Sequence, residues 1–173
     1  MTDTEVKRGK GRPKGAPNKP ILELVTERRK LFKDADCYEI FCQADLVAAE
    51  NADFAVNGLK YYSDTNGAIK SILRWAFDDN IKSTLPTGET PYKKDDSPES
   101  DLAPTSLRFE FKQFKYFVTE QVKQTKREHL WIEMLENIPQ MEAKMMDLVK
   151  DGRWPFKNIT KTIVKKAFPD LGL

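Results

Sequence analysis

A chain of 173 residues can bury one full core but not two large ones. With 39% hydrophobic and 32% charged residues and a mean hydropathy of −0.62, it belongs with globular proteins of heavily charged surface, which excludes global disorder. The net charge of +2 conceals an asymmetry: residues 1–20 carry six basic side chains against two acidic ones, a clustering that favours a polyanionic partner.

Residues 1–19 contain Gly9, Gly11, Gly15, Pro13 and Pro17, with Val6 as the one sizeable apolar side chain beyond Met1. Such a segment buries too little surface to offset its ordering entropy and reads as a disordered basic arm. The rest, residues 20–173, reads as a single all-α domain of about six to eight helices. Pro20 suits a first helical position, and Ile21, Leu24, Val25, Leu31 and Phe32 then predict a helix over about 20–33. Asp36 is placed to cap a second helix with Cys37, Ile40, Phe41, Ala44, Val47 and Ala48 on one stripe. After Asn51 and Asp53 a shorter helix runs through Leu59 and Tyr62, and residues 63–67 form a turn. Ile69, Ile72, Leu73, Ala76 and Phe77 give the cleanest helical spacing, over 68–77, with Lys70 and Arg74 on the wet side.

From 78 to 104, Pro86, Pro91, Pro98, Pro104 and Gly88 predict a long loop, with an acidic tract at Asp95, Asp96, Glu99 and Asp101. Leu107, Phe111, Phe114, Val118 and Val122 predict a long helix, although "RFEFKQFKYF" alternates in part and leaves a strand as the alternative. A polar break at 124–127 precedes two short helices, 130–138 and 141–149, hinged at Pro139. Gly152 ends the second in the left-handed conformation. A last helix begins near Thr160, turns Ile163, Val164, Ala167 and Phe168 inward, and stops at Pro169.

One motif carries a binding mechanism. Gly11-Arg12-Pro13 resembles the core of an AT-hook, with Arg8, Lys10 and Lys14 as its basic flanks. The narrow minor groove of A·T-rich DNA has an enhanced negative potential that attracts an inserted guanidinium. Glycine removes the Cβ that would meet the groove wall, and proline holds the chain extended. Arg12 would reach the groove floor while Arg8, Lys10 and Lys14 meet phosphates. A solubilising tail and a protein-docking tail are the alternatives. Arg108, Lys112 and Lys115, followed by Lys123, Lys126 and Arg127, could continue a phosphate track, or simply form a wet helix face. Lys161, Lys165 and Lys166 carry the same ambiguity.

Signals for catalysis, metal or cofactor are weak. The single histidine, His129, sits in a charged run and reads as a surface or cap residue. No nucleophile elbow, Walker loop or zincin motif is present, so an enzyme is not expected and no cofactor is implied. Cys37 and Cys42 read as buried, reduced thiols, since their spacing separates them by about 140° around a helix. The tract from Asp95 to Asp101 lacks the spacing of a calcium loop. The tryptophans and phenylalanines read mainly as core, with Trp154-Pro155-Phe156 packing the last helix onto the body and base stacking open to any that prove exposed. No apolar run approaches the roughly 20 residues needed to span a bilayer, so no membrane partner is expected and the chain reads as intracellular.

Three segments in order, "AIKSILRWAFDDNIKSTLPTGETPYK", "KREHLWIEMLENIP" and "PFKNITKTIVKKAFPDL", resemble small proteins of T-even-type tailed bacteriophages and their cyanophage relatives, a family with no assigned activity. The likeness covers about residues 68–171 and leaves the arm outside. It implies a viral protein made in a bacterial host, and an ordered turn at Pro86, Gly88 and Tyr92 beside a mobile acidic insert. Two functions follow as expectations. The first is a non-enzymatic accessory protein that binds A·T-rich DNA through its arm, in takeover of the host nucleoid, in transcription or in genome handling. The second is an interaction or virion-associated protein whose helical body binds a host or phage protein.

Overall fold

A computed structural model describes Leu22, residues 24–93 and residues 102–173. Every regular element among these residues is helical. Helix α1, Cys37–Glu50, starts where Asp36 Oδ1 accepts the Glu39 amide at 2.8 Å, as its sequence predicts. Asn51 then serves two helices at once. Its N–H donates to Val47 O at 2.8 Å to close α1, and its side chain accepts from Asp53 N and Phe54 N to open α2, Ala52–Ser63. The two helices pack as a hairpin. In the turn that follows, buried Asn66 accepts the Ala68 amide at 3.1 Å and leads into α3, Ala68–Phe77.

Ile69, Ile72 and Leu73 on α3 are fully buried, each worth about 1.5–3 kcal/mol relative to exposure. Two short helical turns, α4 (Leu107–Glu110) and α5 (Phe114–Phe117), are joined by a 3₁₀ turn, Phe111–Gln113. They close over α3. Helices α6 (Gln124–Asn137) and α7 (Gln140–Lys150) bend at Pro139, and Gly152 at φ 70° ends α7 as expected. Helix α8, Lys161–Ala167, is capped by Thr160 and buries Ile163, Val164, Ala167 and the following Phe168.

Two aromatic clusters anchor opposite parts of this core. Trp154 stands edge-on to Phe41, Phe77 and Phe156 with centroids 5.1–5.3 Å apart, and its indole N–H donates to Ile159 O. That contact fixes the approach to α8 onto the body. Trp75, Phe114, Phe117 and Trp131 form the second cluster, at 5.0–5.9 Å.

Three sequence expectations are corrected. The described part of the predicted helix over 20–33 is irregular chain. The Gln43 side chain on α1 accepts the Arg29 amide and donates to Glu27 O, which takes the strap's backbone groups out of helical pairing. Buried Leu22 and half-buried Leu24, Val25 and Leu31 pin it along the core, while Phe32 is 84% exposed. The long helix predicted from 107 to 122 stops at Phe117. Its continuation would need the Phe117 carbonyl, and Thr84 captures that group through both its N–H and its hydroxyl at 2.8 Å. The same helical run rules out the alternative strand. The predicted break at 124–127 is instead the first turn of α6. Buried Arg127 donates there to Thr119 O and Val122 O, tying down the chain that leads in.

Candidate functional site

The arm residues Arg8, Lys10, Gly11, Arg12, Pro13 and Lys14 lie outside the described residues, as does the acidic tract from Asp95 to Asp101. The second group singled out from sequence, Arg108, Lys112 and Lys115, lies within the described residues, on the short turns α4 and α5 and the 3₁₀ turn between them. Leu107, Phe114 and Phe117 face the core. Along α4, the 3₁₀ turn and α5, Arg108, Phe109, Lys112, Lys115 and Tyr116 all keep solvent exposure, and Arg108–Lys112 and Phe109–Lys112 stand four and three residues apart, spacings that make side chains neighbours on a helical turn. Lys112 and Lys115 are exposed, Arg108 and Tyr116 are half-buried, and Phe109 is 67% exposed.

Glu110 is the one acid between 107 and 117, and it accepts from the Thr105 hydroxyl at 3.0 Å and from the Gln113 amide. The other charged side chains of this segment are three cations, set among the rings of Phe109 and Tyr116. Lys115 Nζ lies 5.0 Å from the Tyr116 ring centroid, a cation–π contact that keeps the ammonium beside an aromatic surface. Phe109 lies off the predicted inward stripe of Leu107, Phe111, Phe114, Val118 and Val122, and its exposure agrees with that spacing. Arg127 leaves the basic track because its guanidinium is buried in the service of backbone carbonyls.

Two polar centres inside the body escaped sequence reading altogether. The first is Lys150, whose side chain is 1% exposed. Its ammonium donates to Pro86 O at 2.8 Å, Gly88 O at 2.9 Å and Asp151 Oδ1 at 2.7 Å. Asp151 accepts the Gly88 amide at 3.1 Å, and Asp147 accepts both the amide and the hydroxyl of Thr90. The ordered turn expected at "LPTGETPYK" is thus clasped to the end of α7, with Gly88 at φ 98°, a conformation that favours glycine. Burial, and then the negative charge of Asp147, pushes the Tyr92 phenol up to about 12. A cavity of about 250 Å³ between this turn and Trp131 is lined chiefly by apolar surface, and the three protons of Lys150 are already committed to the clasp.

The second centre is Glu142, fully buried on α7. It accepts the Cys37 amide at 2.7 Å and the Leu107 amide at 2.9 Å, so one carboxyl closes the first turns of both α1 and α4. Burial, reinforced by nearby Asp36, raises its pKa from 4.5 to about 8. Asp36 is itself raised from 3.8 to about 6, mainly by desolvation. Cys37 beside them is fully buried, its thiol pushed well up by desolvation and by Glu142, and it receives a weak hydrogen bond from Asn66 at 3.4 Å. Cys42 is likewise free and buried, as the spacing predicted. Of these groups, Glu142 caps α1 and α4 from inside the body and Asp36 caps α1 at its N-terminus.

The remaining sequence candidates lie on the surface. His129 is exposed. Lys161 pairs with Asp79 at 2.9 Å and Lys166 with Asp53 at 3.6 Å, which leaves Lys165 as the exposed cation of that helix without a described ion pair. No group of three or more metal-ligating side chains comes together among the described residues. None of the described helices is long and apolar enough to cross a membrane.

The model of one family, described as a family of unknown function (DUF6433), matches residues 46–155, from the last turn of α1 to the Trp154-Pro155 corner. No curated protein and no solved structure matches the chain.

Proposed function

Because the chain belongs to the DUF6433 family, whose function is unknown, we propose from its own residues that it is a non-enzymatic DNA-binding accessory protein of a tailed bacteriophage. The observation that carries this reading is Gly11-Arg12-Pro13 set among Arg8, Lys10 and Lys14 in the segment that holds the chain's charge asymmetry. Arg12 enters the minor groove of A·T-rich DNA, and the flanking cations neutralise phosphates. Counting the Arg12 charge with those of Arg8, Lys10 and Lys14, four cations give a log–log salt slope of about −3.6, which suits an anchor more than a sequence-selective clamp. Arg108, Lys112 and Lys115 form a second cationic surface on the body, outside the arm. The protein then works in the host cytoplasm at the nucleoid, in host takeover, transcription or genome handling.

Gel-shift competition between A·T-rich and G·C-rich duplexes tests the reading. The intact chain should prefer the A·T-rich duplex, and Arg12→Ala should lose most of that preference. Equal binding of both duplexes by both proteins would refute the arm's role.

A second reading, a body that binds a host or phage protein, is favoured by the groove between the strap and the α1–α2 hairpin. Leu31, Val47, Phe54 and Tyr62 line it, and Phe54 is 66% exposed. A stoichiometric protein recovered from infected cells after nuclease treatment, and lost with Phe54→Asp, would support this reading.

A further inference from the structure

The outward face of residues 107–117 differs from an ordinary solvated helix surface. A wet face usually mixes charges of both signs and turns its aromatic rings inward. Here Arg108, Lys112 and Lys115 stand in one eleven-residue segment with Phe109 and Tyr116, and the one acid of the segment is engaged by Thr105 and Gln113. Phe109 is 67% exposed and lies outside the core cluster, so packing does not account for a phenylalanine there. It stands three residues before Lys112, a spacing that lets one ligand meet both.

We infer that this face binds single-stranded nucleic acid, stacking an unpaired base on Phe109 while Arg108, Lys112 and Lys115 follow its phosphates. The inference rests on the nucleic-acid reading of the protein but names a different site and a different form of ligand from the arm. A duplex offers phosphates and groove edges but keeps its base faces covered, so it has no use for an exposed ring. A single strand offers both charge and an open π-face, the pair of features this segment complements. Cations spaced at i, i+4 and i+7 also run along the segment as a row, the arrangement a backbone can track. Lys115 against Tyr116 extends the same mixed surface beyond Phe109.

Anisotropy titrations of the full-length chain with fluorescent dT20, rU20 and a blunt 20-base-pair duplex, each about 20 nucleotides long to span more than one site of this kind, test the inference. Phe109→Ala should weaken dT20 binding about tenfold, leave its salt slope unchanged and leave the duplex unaffected, while Phe109→Trp should restore the single-strand affinity. The double variant Lys112→Ala/Lys115→Ala should lower the dT20 salt slope by about 1.4. Comparison of dT20 with rU20 assigns the strand to DNA or RNA. Arg12→Ala should reduce A·T-duplex binding and leave dT20 binding in place, so the two sites fail independently. If Phe109→Ala leaves dT20 binding unchanged, or weakens strand and duplex alike, the face is not a single-strand site. The same conclusion follows if Arg12→Ala alone removes dT20 binding.

Discussion

Glu142 shows how much of this fold depends on one side chain. A carboxyl with no solvent contact accepts the first amides of two helices, so truncation leaves two buried N–H groups without partners. Glu142→Ala should cost about 2–4 kcal/mol in denaturant-measured stability. The raised pKa gives a signed pH dependence as well. The folded state favours the protonated acid, so this contribution is fully present below about pH 4.5 and fades as pH rises through about 8. Asp36 acts in the same direction between 3.8 and about 6. The urea midpoint should therefore fall from pH 5 to 8.5, and Glu142→Gln, which cannot ionise, should flatten the upper half of that decline. A rising midpoint would mean that Glu142 stays ionised in the fold. Lys150 is the matching cation. Lys150→Met keeps the stem but strands two carbonyls and Asp151, at a cost of about 3–5 kcal/mol, and hydrogen exchange at Gly88 and Thr90 should accelerate.

Elements whose signals are local were legible in the sequence. Asp36, Asn51, Thr160, Pro139 and Gly152 mark helix ends through their own side chains or backbone, and each stands at the boundary it predicts. Asn51→Ala tests this directly, since it removes the acceptor for two amides at the α2 start, and a loss of about 1–2 kcal/mol is expected from thermal or urea unfolding. Elements decided by distant partners were not legible. Residues 24–33 have helical spacing, yet Gln43, far along the chain, takes their backbone groups. The helix through 117 ends because Thr84 reaches its carbonyl from the loop after α3. Lys150 and Glu142 looked like ordinary charged helix positions for the same reason, because their backbone partners lie 35 to 105 residues away. Of the candidate site, the cations Arg108, Lys112 and Lys115 were visible as a row. Phe109 was legible only as a residue off the inward stripe, since phenylalanine is by default a core residue.

At the scale of the whole molecule, the charge is divided between a basic segment at residues 1–20 and a body whose cations are largely offset by acids. Lys70–Asp170, Lys161–Asp79 and Lys166–Asp53 are exposed pairs, each worth at most about 1 kcal/mol, and they neutralise the α3 and α8 surfaces. The segment over 107–117 stands out against this balanced background, with three cations and Glu110 as its one acid. The matched family region, residues 46–155, includes that stretch and excludes the basic segment. In the proposed division of labour the basic segment anchors the protein on A·T-rich duplex and the body meets exposed strands nearby. The anchoring step is tested most directly by anisotropy of an A·T-rich duplex titrated with the intact chain and with Arg12→Ala between about 50 and 200 mM salt. The intact chain should show the steeper dependence, with Arg12→Ala flatter by about 0.9 in log–log slope and no longer distinguishing A·T from G·C duplexes. Identical affinities and slopes for the two proteins would contradict it.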